Sequence, residues 1–138
     1  MKHTRTLRRA TAVLAAAVTL GLGTTTAHAD PGIPNVGYGY PNPAKSVRCV
    51  QFFINSYLGM HTVDEDGLFG PRTQQGVKDL QRHSNFNWTT HELATDGVFG
   101  KATGQAVLEH VKQNPWSIDY NRAWSCSHYV PSYTVVLN

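Results

Sequence analysis

The turn Asp-Gly-x-Phe-Gly-x-x-Thr occurs twice, at 66–73 and at 96–103, with each shared residue displaced by 30 positions. Five of the eight positions are identical, and a sixth is the apolar pair Leu68 and Val98. Asp66 and Asp96 can accept bonds from nearby backbone N–H groups and so hold a tight turn. Gly67 and Gly97 permit positive φ, where a side chain would be strained. Phe69 and Phe99 each offer a large apolar face, stabilising by about 2–3 kcal/mol if buried. Gly70 and Gly100 stand where a helix begins, with Thr73 and Thr103 placed to satisfy orphan N–H donors. The motif reads as a structural turn that launches a helix. Calcium loops are also rich in Asp and Gly, but the alternate oxygen ligands and the distal bidentate Glu are missing. No metal and no cofactor is expected.

The apolar period supplies the helices. Val47, Val50, Ile54, Tyr57 and Leu58 form one stripe, with Ser46 as a candidate cap and Gly59 as the stop. This predicts a helix over 46–58. A second opens at Gly70-Pro71, where proline loses no helical bond, and runs to His83 through Val77 and Leu80. A third starts after Gly100 and carries Ala102, Ala106, Val107 and Val111, ending before Pro115. The expected fold is all-α, a small three-helix bundle over 46–113. Residues 30–45, rich in Pro and Gly, read as a loose arm. Residues 114–138 read as an aromatic C-terminal extension whose end, Tyr129 to Leu137, is expected to be extended.

Residues 1–29 carry a basic start (Lys2, Arg5, Arg8, Arg9), an apolar run from Ala10 to Leu22, and Ala27-His28-Ala29 before Asp30. The run is shorter than the roughly 20 residues a membrane span needs, and the pattern is that of a secretory signal peptide. The remainder holds eight Lys and Arg against nine Asp and Glu. The basic balance of the whole chain therefore belongs to the leader, and no basic face points to nucleic acid. A secreted monomer, extracellular or wall-associated and off the membrane after cleavage, is expected. Cys49 and Cys126 allow one intramolecular pairing, favoured in an oxidising compartment. It would close a loop of about 80 residues, stabilising by about 4 kcal/mol in the chain-entropy model.

Catalytic patterns are thin. His91-Glu92-Leu93-Ala94-Thr95 starts like H-E-x-x-H but lacks the second histidine. His83 and His91 would need a third zinc ligand. Cys126-Ser127-His128 places a thiol near an imidazole, yet a disulfide would remove the nucleophile. Asp64, Glu65 and Asp66 supply acids without any sign of a cleft between them. The chain reads as a non-enzyme.

The span from about 46 to 108 resembles the three-helix peptidoglycan-binding domain found beside many secreted cell-wall hydrolases. Val47, Val50, Gln51, Ile54, Asn55, Leu58 and Gly59 match its opening helix. DGLFGPRTQQGVKDLQ at 66–81 matches its central motif, and DGVFGKAT at 96–103 with Val107 its closing motif. Three features depart from the pattern: a long 82–95 segment, Gly104 where the family often has tryptophan, and the tail with Cys126. The resemblance implies a module that holds peptidoglycan. Phe86, Trp88, Trp116 and Tyr120 are then the candidate aromatic contacts, and Gln51, Asn55 and Gln81 the polar ones, although Gln51 and Gln81 could equally bridge helices. A different use of the same fold would be a secreted protein-interaction module, an inhibitor or accessory factor of an extracellular enzyme.

Overall fold

A computed structural model describes residues 32–134 and 137; the expected signal segment lies outside them. Among the described residues the fold is all-α, with four helices: α1 (Ala44–Leu58), α2 (Pro71–Asn87), α3 (Lys101–Gln113) and α4 (Tyr120–Ser127). None is long and apolar enough to cross a membrane. Helix α1 begins earlier than expected, after Pro43, and has no side-chain cap. Ser46 lies inside its first turn and is buried, so it does not start the helix. Helix α2 continues to Asn87 rather than stopping at His83.

The core follows the predicted stripe through Val47, Val50 and Ile54, with Phe53 added and Tyr57 and Leu58 only partly buried. Val47, Val50, Phe53 and Ile54 are fully buried, the spacing that one helix face presents. Val77 and Leu80 from α2 meet them, with Val107, Leu108 and Val111 from α3. Phe53 stacks on Phe99 at 6.4 Å between ring centroids, so the second turn contributes to the centre of the molecule. Phe69, its equivalent in the first turn, is only partly buried and meets Tyr38 edge-on.

Two segments are more ordered than their composition predicts. Val36, in the Pro/Gly-rich arm, is fully buried and exchanges two backbone hydrogen bonds with Phe99, of 3.1 and 2.8 Å. The tail contributes α4, a helix not anticipated from the sequence. The Asp119 side chain caps this helix by accepting from the Arg122 N–H, satisfying one orphan donor. Helix α4 packs against α1 and α3, and the Cys49–Cys126 disulfide ties it to α1. Ala123, Val130 and Leu137 complete the same apolar cluster.

The tail then crosses α3 as a short strap. A Cβ on Gly104 would lie 1.8 Å from the Pro131 carbonyl oxygen, so only glycine admits this crossing. Gln105 fixes the strap: its Oε1 accepts from the N–H groups of Tyr133 and Thr134, each at 3.1 Å. Its Nε2 donates to the Thr134 hydroxyl at 3.2 Å.

Candidate binding groove

The two turns are clamped by glutamines from the preceding helix. Gln51 Nε2 donates to Asp66 Oδ1 (2.8 Å), the Leu68 carbonyl (3.1 Å) and Thr73 Oγ1 (3.2 Å), while its Oε1 accepts from the Gly67 N–H (2.9 Å). Gln81 repeats this with Asp96 (3.0 Å), Val98 (3.0 Å), Thr103 (3.2 Å) and Gly97 (3.0 Å). Gly67 and Gly97 hold φ of +79° and +78°. Both amides are buried and fully engaged, so neither faces a ligand. The threonine hydroxyls turn towards the glutamines, and α2 and α3 carry no side-chain cap.

The repetition reaches further back than the octapeptides. Asn55 brackets Val63 with two bonds of 2.9 Å, from its amide to the carbonyl and from the Val63 N–H to its oxygen. Asn85 brackets Leu93 likewise, at 2.9 and 2.7 Å. Gln51 to Asp66 and Gln81 to Asp96 both span 15 residues, so segment 82–95 is the counterpart of 52–65. Extending the 30-residue offset into the helices would have revealed Asn85. Asn55 therefore serves the scaffold as well, and it also donates to Glu65 at 3.2 Å.

Beyond this frame lies an open groove of about 580 Å³ between the 88–93 segment and α3. That volume falls within the roughly 300–1,000 Å³ of small-molecule sites. Trp88, Thr89, Thr90, His91 and Leu93 line one side, and Ala102, Gln105, Ala106, Glu109, His110 and Gln113 the other, with Tyr133 of the strap also in the lining. Small side chains at Ala102 and Ala106 give α3 a shallow face where larger ones would fill it. At the same offset the first copy has Leu58 and Arg72 in place of Trp88 and Ala102.

Trp88 stacks on His110 with centroids 4.1 Å apart and rings 12° from parallel. Tyr57 and His83 meet the indole edge-on at 4.5 and 5.1 Å. Burial, and then the neighbouring His83, hold the His110 imidazole below its ordinary pKa of 6.5, favouring the neutral ring. Burial also pushes the Tyr57 phenol up to about 12, with a smaller opposing effect from Ser117. Glu109 is the single acid in the groove lining, and the Gln105 amide donates to it at 2.7 Å.

The sequence-derived aromatic candidates do not converge. Trp88 lines the groove. Phe86, 90% exposed, sits in a neighbouring depression that shares Thr89 and Thr90 with it. Trp116, 84% exposed, lies between α3 and α4, and Tyr120 is partly buried against the core; neither lines the groove. Gln105, Glu109, Gln113 and Tyr133 were missed. The first three lie on one α3 face at spacings of four, legible as a polar stripe, whereas Tyr133 arrives through a tail crossing that no local pattern encodes. No group of three or more His, Cys, Asp or Glu side chains among the described residues could hold a metal ion. Comparisons with family models, with curated proteins and with solved structures returned no match.

Proposed function

We propose that this chain is a secreted, non-catalytic module that binds peptidoglycan, with α1 to α3 forming a three-helix bundle of the peptidoglycan-binding type. The groove carries the reading. It offers aromatic surface in Trp88 and Tyr133, suited to the apolar faces of sugar rings, beside amide and carboxylate groups in Gln105, Glu109 and Gln113 that suit hydroxyls and peptide N–H groups. With Glu109 the one carboxylate in its lining, the groove lacks the acid pair that most glycosidases use. The test is sedimentation of the folded protein with purified sacculi. The wild type should co-sediment, and Glu109→Ala with Gln113→Ala should reduce the bound fraction several-fold. A wild type that stays in the supernatant sinks the proposal, and release of soluble muropeptides would replace it with an enzyme.

A protein partner is the second reading, favoured by Phe86 and Trp116 standing almost fully in solvent, since exposed aromatics serve as anchors in protein interfaces.

A further inference from the structure

On the face formed by α1 and α4, a separate pocket of about 220 Å³ is lined by Lys45, Arg48, Cys49, Arg122, Ser125, Cys126 and Tyr129. Its floor includes the two disulfide sulfurs' residues, both nearly buried. Three of the eight basic side chains beyond residue 29 gather at its rim. Gathering like charges costs stability unless counter-charges or a ligand offset them.

The counter-charge present is small. Arg122 pairs with Glu65 and lies 4.2 Å over the Phe52 ring, so it is fixed in place. Lys45 lies 5.2 Å over the Tyr129 ring. Among the described residues no carboxylate lies within ion-pair distance of Lys45 or Arg48, although Arg48 exerts a minor pull on Asp66. Lys45 also stands in the first turn of α1, which contains no acidic residue, and a helix N-terminus favours anions. The C-terminal end of α4 lies across the pocket, but its last carbonyls accept from the N–H groups of His128 and Tyr129.

We propose that this pocket captures the C-terminal residue of a peptide, the free carboxylate meeting Arg48 and Lys45 while a small apolar side chain covers the disulfide. A guanidinium binds a carboxylate with two parallel hydrogen bonds, and capture of terminal carboxylates is a recurrent peptide-recognition mode. The volume decides the size of the ligand. It falls below the roughly 300 Å³ at which whole small-molecule sites begin, leaving space for one residue. The proposal is independent of what the α2–α3 groove binds.

The test is NMR titration of the full protein with acetyl-Ala-Val bearing a free carboxylate, with the same dipeptide as its C-terminal amide, and with inorganic phosphate. The acid should give saturable shifts at Arg48, Cys126 and Tyr129, with the amide at least tenfold weaker. Lys45→Ala with Arg48→Ala should weaken the acid at least tenfold without moving the thermal midpoint by more than a few degrees. Arg122 is left intact because it also packs on Phe52. Equal binding of acid and amide would overturn the carboxylate claim. Phosphate binding as tightly as the acid would overturn the apolar half. Shifts confined to Thr89–His91 and Glu109, or no saturable shift at all, would overturn the site.

Discussion

Gln51 and Gln81 show how far a single side chain can direct a backbone. Each presents an amide nitrogen to three acceptors and an amide oxygen to the N–H of a positive-φ glycine. Their sequence pattern marked them, but their role was ambiguous between ligand contact and scaffold. Only the direction of the amide settles it, and that direction depends on a turn 15 residues away. Replacing Gln51 by Ala strands buried partners and should cost about 2–3 kcal/mol. Gln51→Glu should cost more at pH 7, since an oxygen would then face Asp66 and two further acceptors. Urea midpoints should rank wild type, Ala, Glu in falling order, with the same order at Gln81; a Glu variant as stable as wild type contradicts the clamp. His110 makes the complementary pH prediction. Its folded pKa lies below 6.5, so the unfolded chain takes up the proton first as pH falls. The stability it contributes is complete above pH 6.5 and is lost as pH drops through the folded value. Asp66 works in the same direction, but only below 3.8. The wild-type urea midpoint should therefore fall between pH 7.5 and pH 5, and His110→Leu should flatten that decline. An equally steep decline in the variant would remove His110 as its source.

Local signals served the helices unevenly. The stripe of α1 and the Pro71 and Gly100 starts of α2 and α3 were legible because they obey local rules, the 3.6-residue period and the tolerance of proline at a first helical position. Helix α4 has only eight residues, too few for a period to stand out, and its Asp119 cap was lost among aromatic residues. The strap was invisible for a different reason: Gly104 reads as a weak helical residue until the Pro131 carbonyl is placed beside it. In the resembled family tryptophan is frequent at that position, and no such side chain could stand there beneath the strap. Gly104→Ala should therefore lift residues 131–134 from α3, at a cost of about 1–3 kcal/mol, and expose the amides of Tyr133 and Thr134 to rapid hydrogen exchange. Gly100→Ala is the control. The nearest atom to its added Cβ is 3.5 Å away, so exchange at the strap should not change. Equal protection in both variants would show that Gln105 alone holds the strap.

At the scale of the whole molecule, the 30-residue repeat accounts for the middle of the chain and not for its ends. Among the described residues both flanks of the repeat are recruited into the core, the arm through Val36 and the tail through Val130 and Leu137, and the disulfide fixes the second of these. The single pairing available was legible from the cysteine count, whereas its consequence depends on where α4 lies. Cys49 and Cys126 are 77 residues apart, so the bridge encloses α1 to α3 almost completely. Reducing it restores entropy to the unfolded chain worth about 4 kcal/mol, a large part of the roughly 5–15 kcal/mol by which a domain is stable. α4 also loses its covalent tie to α1 and keeps only Ala123 and its neighbours as apolar anchors. Cys49→Ser with Cys126→Ser should lower the urea midpoint sharply. Hydrogen exchange under native conditions should quicken first in α4 and the strap, with α1 to α3 the last to open. If all four helices instead open together, α4 is part of one cooperative unit and the disulfide acts on the unfolded state alone.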